Sequence, residues 1–159
     1  MRFHVIAVGK LKERFWTDAC AEYLKRLQPY AKTQVIELAD VDPTRVGGAA
    51  AARAKEGAAI LHALDGLPAQ TRVIVLAIEG KQHTSQAFAQ HLDELALYGE
   101  SDVAFVIGGS DGVDEAVYAR ANELLSFGKI TLPHNLARVV LLEQLYRAQK
   151  ISRGEPYHK

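Results

Sequence analysis

Val103-Ala104-Phe105-Val106-Ile107-Gly108-Gly109-Ser110-Asp111-Gly112 is the stretch on which the reading of this chain turns. Five apolar residues, three of them β-branched, lead straight into three glycines within five positions. The run is short and has no polar alternation, which predicts a strand buried on both faces. The glycines permit positive φ and close backbone approach. Asp114 and Glu115 then place carboxylates in what reads as the first turn of a helix, at its positive end. Strand, glycine turn and helix together form the arrangement that seats a nucleotide-like ligand at the carboxyl edge of a sheet. A plain β–α turn without a ligand is the alternative.

A second stretch, Phe127-Gly128-Lys129-Ile130-Thr131-Leu132-Pro133-His134-Asn135, predicts another short strand, ended by a proline and running into an apolar helix over 136–151. Two such strand ends can meet around one ligand. Five words carry a family resemblance: MRFHVIAVGK at 1–10, VIGGSDG at 106–112, ITLPH at 130–134, LLEQLYRAQKI at 141–151 and PYHK at 156–159. ITLPH combined with a terminal YHK is specific, whereas IGG alone is weak. Together they resemble the SPOUT methyltransferases, and within them the small single-domain group that methylates N3 of a pseudouridine in large-subunit ribosomal RNA. The resemblance covers essentially the whole chain. It implies S-adenosylmethionine as methyl donor, a trefoil knot in the C-terminal half, a homodimer and no metal.

The bounds agree with a soluble domain. At 159 residues the expectation is one domain, 1–159, long enough to bury a core. Apolar residues at 48% and charged residues at 24% are ordinary for a globular protein. Arg2 and His4 interrupt the N-terminus and no long apolar segment follows, so neither export nor membrane insertion is expected. Cys20 is the single cysteine, which excludes an internal disulfide and suits the cytoplasm. Flanked by Ala19 and Ala21, it reads as core filler rather than a nucleophile.

Net charge is zero but unevenly spread. Residues 129–159 hold six Lys/Arg against two Glu, a net of +4, and the remainder carries −4. A neutral chain is a poor indiscriminate nucleic-acid binder, though a basic end can meet one RNA. Arg147 and Lys150, near a helix C-terminus, can equally complement its dipole.

In order, the chain predicts alternating strands and helices. Strands fall at 2–8, 33–38, 72–78, 103–107 and 127–132. Helices fall at 13–27, 43–64, 86–98, 114–125 and 136–151. Asp42-Pro43 reads as a cap followed by proline at the first helical position, and Gly47-Gly48 should loosen the turn after it. Gly80-Lys81 after the third strand is not a P-loop, because the required spacing is absent. The fold class is therefore α/β, a mainly parallel sheet with helices on both faces.

A methyl carried on a sulfonium needs positioning more than it needs acid–base chemistry. By resemblance, Leu76, Gly108 and the run Phe127, Gly128, Lys129, Ile130, Thr131 and Leu132 form the donor pocket. Leu76 would supply an apolar wall, Gly108 a close backbone approach, and 127–132 main-chain groups for an adenine edge. The acceptor asks for more, because an imide N–H is a poor nucleophile until deprotonated. The tail offers Tyr157 to stack on a base, His158 to take a proton, and Lys159 or Arg153 to stabilise an anion and hold phosphate. The alternative is a frayed terminus. His62, His83 and His91 lack metal-ligand spacing with Cys20. His134 can cap the last helix or touch ligand. Glu143, the one carboxylate on that helix, can be a base, an arginine partner or an exposed residue.

The expected function is S-adenosylmethionine-dependent methylation of a pseudouridine in the intersubunit hairpin of 23S rRNA, on the assembled ribosome. Methylation of another RNA atom, such as a tRNA ribose hydroxyl, and a noncatalytic nucleotide- or RNA-binding module are the alternatives. Fold alone does not separate them.

Overall fold

The structure, a computed structural model, describes residues 1–157. The proposed roles of His158 and Lys159 fall outside the described residues. Five parallel strands, β1 (Arg2–Val8), β2 (Lys32–Leu38), β3 (Arg72–Gln82), β4 (Asp102–Ile107) and β5 (Glu123–Ser126), form one sheet in the order β2-β1-β4-β3-β5. The helices are α1 (Arg14–Leu27), α2 (Pro43–Val46), α3 (Ala49–Asp65), α4 (Ser85–Leu97), α5 (Glu115–Arg120) and α6 (His134–Ser152).

β4, which carries the glycine turn, is the central strand and is buried along its whole length. The two-residue side-chain period divides its apolar run between two cores. Val103, Phe105 and Ile107 join Phe3, Val5 and Ala7 of β1 beneath α1, α4 and α6. Ala104 and Val106 join Ile6 and Val8 beneath α3 and α5, on the other face. Phe105 meets Phe3 and Phe88 edge-on, at 6.1 and 6.3 Å between ring centroids. Cys20 lies in the first core, where burial pushes its thiol up, as a filler role requires.

Three local expectations are corrected. The helix expected from 43 to 64 is two helices. Asp42 accepts the Thr44 N–H at 3.0 Å to start α2, and Gly47 and Gly48, at φ 93° and 122°, end it at once. The helix expected over 114–125 stops at Arg120, and the last strand is 123–126 rather than 127–132. Asn122 makes the switch. Its N–H donates to the Val73 carbonyl at 2.8 Å, and its side-chain oxygen accepts the Val73 N–H at 2.7 Å. That docks the chain on β3, where Leu124 and Leu125 point into opposite cores. Residues 127–133 are consequently a loop, begun by a tight turn in which Ser126 Oγ accepts the Gly128 N–H at 3.0 Å.

β3 runs past its expected end at Ile78. Leu125 pairs with Leu76, the chain leaves the ladder over 77–80, and Leu125 is met again by Lys81. A Cβ on Gly80 would lie 2.7 Å from the Leu124–Leu125 backbone, so only glycine lets the excursion close this tightly around β5.

Candidate active site

A cavity of about 490 Å³ opens at the carboxyl ends of β3 and β4, beside the loop that follows β5. Three segments wall it: 76–79 from the β3 excursion, 107–113 from the glycine turn, and 127–134 up to the start of α6. Of the eight residues expected to bind the donor, seven line it: Leu76, Gly108, Phe127, Gly128, Ile130, Thr131 and Leu132. Lys129 does not; it is exposed on the same loop. Ile107, Val113, Leu125 and Ala137 add apolar surface. Tyr118 contributes a phenol whose pKa is raised by burial and by the nearby Glu79 charge.

The role expected of Gly108 changes. A Cβ there would meet Val113 Cγ2 at 2.5 Å, so the first collision is with the chain's own turn and not with a ligand. Gly112 is the glycine that needs its conformation, at φ 87°, where its N–H donates to the Gly109 carbonyl at 3.1 Å and closes the turn. A Cβ on Gly112 would meet open space.

His134 is the first residue of α6 and lines the cavity. Pro133 occupies the cap position and no side chain caps the helix. Gly9, at the end of β1, lies against the His134 ring. Arg138, one turn further on, is buried. It donates Nη2 to the Gly9 carbonyl at 2.8 Å and Nη1 to Glu37, tying α6 to the ends of β1 and β2. Arg138 is therefore not part of an exposed basic end.

The tail is held, up to Tyr157, away from this cavity. Neither Arg153 nor Tyr157 lines it. Tyr30 OH donates to Glu155 at 2.6 Å, Lys150 Nζ donates to both Glu155 and Tyr30, and the Arg153 guanidinium sits 4.7 Å from the Tyr30 ring centroid. Tyr157 packs edge-on against Tyr146 at 4.9 Å, lies under Arg147 and donates its hydroxyl to Glu143 at 3.1 Å. Hydrogen bonds from Lys150 and Tyr30 hold the Glu155 carboxyl below its ordinary value. Burial and the Glu143 charge push the Tyr157 phenol up. Glu143 accepts from Arg147 at 2.9 Å, from Gln144 at 2.7 Å and from Tyr157, so of its three possible roles it takes that of arginine partner.

Two groups went unremarked in the sequence. Glu56 on α3 is buried behind Gly109. One carboxylate oxygen accepts the Val41 N–H at 2.9 Å and the other has no partner, and burial pushes the carboxyl up. A Glu between Lys55 and Gly57 in an alanine-rich helix gives no periodic sign of burial. At the opposite edge of the sheet, Asp102 accepts from Arg2 and from His4, the latter at 2.8 Å. Burial raises that carboxyl, but the two hydrogen bonds and charges outweigh it and keep it low. His91 bonds Glu123 at 2.7 Å and stacks on His83. Among the described residues, no group of three His, Cys, Asp or Glu is placed to hold a metal ion, and no helix is long and apolar enough to cross a membrane.

A parallel sheet whose carboxyl edge holds a cavity between a glycine turn and the loop after the last strand narrows the class, and comparison with known families identifies it. Residues 1–158 match the family described as Predicted SPOUT methyltransferase, and the chain belongs to that family. It is similar over its full length to proteins named ribosomal RNA large subunit methyltransferase H. Those of Bacillus thuringiensis strain Al Hakam and of Bacillus anthracis are each 55% identical over 160 residues, covering 100% of both chains. A crystal structure from Neisseria gonorrhoeae, described as of a methylase family protein, shares the fold with a TM-score of 0.51 at 17% identity. The match covers 91% of this chain and 80% of that one.

Proposed function

We propose that this chain, as one methyltransferase domain, methylates large-subunit ribosomal RNA at N3 of a pseudouridine in the intersubunit hairpin, with S-adenosylmethionine as donor. The observation that carries the reading is the cavity, which gathers seven of the eight residues expected for the donor in a chain 55% identical to relatives named for this RNA. Its size suits a nucleoside ligand. Its walls combine apolar side chains such as Leu76, Phe127 and Leu132 with Gly108, Gly109, Gly112 and Gly128, surfaces suited to an adenosine.

The donor, when bound, supplies an electrophilic methyl group on sulfur. The chain's residues orient and deprotonate. Leu76 and Phe127 would sandwich apolar surface, and the glycine turn leaves room for a charged substituent beside Gly109. On the acceptor side, His158 takes the N3 proton, Tyr157 stacks on the base, and Lys159 and Arg153 stabilise the imide anion and hold phosphate. Glu143 is already occupied by three donors, which supports leaving the base role with the tail. Because that tail packs away from the cavity of its own chain, the reading includes a homodimer acting on the assembled ribosome in the cytoplasm. It also includes the family's trefoil knot.

Two measurements test it. Calorimetry with S-adenosylmethionine should show saturable binding, lost in a variant with a filled cavity. Mass spectrometry of 23S rRNA from a deletion strain should show one N3-methylpseudouridine replaced by pseudouridine. An unchanged 23S spectrum, or a methyl missing from a tRNA ribose instead, overturns the assignment.

A further inference from the structure

Trp16 is the only tryptophan of this chain, and it is not in the core. It sits in the first turn of α1 with its ring centroid 5.0 Å from that of Phe15, the two planes tilted by 56°. Phe15 is 64% exposed, whereas Phe3, Phe88 and Phe105 are almost wholly buried. Lys10, Lys12 and Arg14 flank the aromatic pair and are exposed, with Glu13 the one carboxylate among them. Neither Lys10 nor Lys12 forms an ion pair among the described residues. Arg14 approaches Asp18 only to 3.6 Å, and both are exposed, so the pair is weak.

The loop that carries the patch starts at Gly9, against a residue of the cavity wall. Gly9 takes φ 100° and lies so close to His134 that a Cβ would come within 2.9 Å of Nε2. His134 lines the cavity, so Lys10 leaves the rim one peptide bond later. The basic C-terminal end offers less free charge than its composition suggests. Arg138 is buried on Glu37, Arg147 is paired with Glu143, and Lys150 is paired with Glu155. Lys10 and Lys12 are thus uncommitted cations on the loop that follows Gly9. Aromatic faces interleaved with free lysines suit a polyanion with stackable rings. A protein partner fits less well, since the centres of protein interfaces are depleted of lysine.

We propose that the loop between β1 and α1, with the first turn of α1, is a single-strand RNA surface: Phe15 and Trp16 stack on unpaired bases flanking the target nucleotide, and Lys10 and Lys12 contact the phosphates between them. The proposal rests on the reading of the cavity as the methyl-donor site of an RNA methyltransferase, which puts the target base at that rim.

The lone tryptophan gives a readout independent of methyl transfer. Titrating the full chain with a synthetic intersubunit-hairpin RNA should quench Trp16 emission, and salt should weaken the effect. Phe15→Ala should weaken hairpin binding by about 5- to 150-fold, the range of one lost base stack. The Lys10→Ala, Lys12→Ala double variant should lower the slope of log affinity against log salt by about 1.4, two contacts at single-strand density. Both should raise KM for ribosomes while leaving S-adenosylmethionine affinity, measured by calorimetry, and sedimentation unchanged. A chain that quenches with RNA yet methylates none keeps the surface and loses the enzymatic reading. An active enzyme whose Trp16 emission ignores RNA, with both variants at wild-type KM, overturns the surface. Variants whose KM rises only because sedimentation shows a changed oligomer make the patch a protein interface, and overturn it equally.

Discussion

The proposed donor cavity and the C-terminal tail are built by opposite means. Backbone geometry makes the cavity: a turn closed by Gly112, a crossing that only Gly80 permits, and a loop released when Ser126 turns at Gly128. Side chains make the tail's position: Tyr30, Glu155, Lys150, Arg153, Tyr146, Glu143 and Arg147 hold it through phenols, ion pairs and ring faces. A backbone site is pre-formed and changes little when one side chain is trimmed. A side-chain strap consists of many separable contacts and can be released. The first suits holding a donor of fixed shape, and the second suits groups that must meet a large RNA.

Removing Tyr157, His158 and Lys159 should separate the two regions most widely. Methyl transfer should fall by about 10²- to 10⁴-fold, the typical loss for a positioned acid–base group, while calorimetry finds donor affinity unchanged. Wild-type turnover in the truncated chain would make the tail mere packing. Gly108→Val tests the other side. Its Cβ meets Val113 and should distort the turn, costing about 1–3 kcal/mol of stability by overpacking and at least about tenfold in donor affinity. Donor binding at wild-type strength would detach Gly108 from the site.

A smaller effect is expected at Glu56→Gln, which bears on the support of the glycine turn. Burial raises the Glu56 carboxyl above its ordinary value of 4.5. Its contribution to stability is therefore fully present below that value and is lost as pH rises through the raised one. Wild type should lose stability relative to the glutamine variant between acid and neutral pH, by on the order of 1 kcal/mol, read from urea midpoints at each pH. Parallel pH profiles would refute this. Tyr30→Phe should do least: the fold stays, and amide exchange over 153–157 quickens. Because the Glu155 carboxyl is held low, the strap is intact above the ordinary carboxylate range and is lost as pH falls through the lowered value. Exchange over 153–157 should therefore quicken in wild type at acid pH, and an unchanged rate in Tyr30→Phe would show that the phenol bears no part of the strap.

Much of this was legible in the sequence because it is local. Short apolar runs mark the first four strands, Asp42 marks a helix start, and the residues implied by the resemblance, Leu76, Gly108 and all of 127–132 but Lys129, line one cavity. What escaped depends on distant partners. Leu124-Leu125 reads as the end of a helix until Asn122 finds Val73, 49 residues away. Arg138 counts as a free cation until Glu37 and the Gly9 carbonyl enclose it. Glu56 has no periodic signature because its burial is decided by the turn at Gly109.

α6 can also be treated as a ruler. It has 19 residues, and at 1.5 Å each it spans about 28 Å. His134 at one end lines the cavity, and Arg153 begins the tail at the other. Residues 153–159, fully extended, reach at most about 25 Å. Ala137, also in the cavity wall, lies about 24 Å of helix from Arg153, so a tail turned back along α6 would have to be almost fully extended. Residues 153–157 are instead tied to Tyr30, Tyr146 and Glu143, and a tail that works at a cavity from that position works at another molecule's. The tail-deleted chain and the Gly108→Val chain, each impaired alone, should regain part of the lost turnover when unfolded and refolded together.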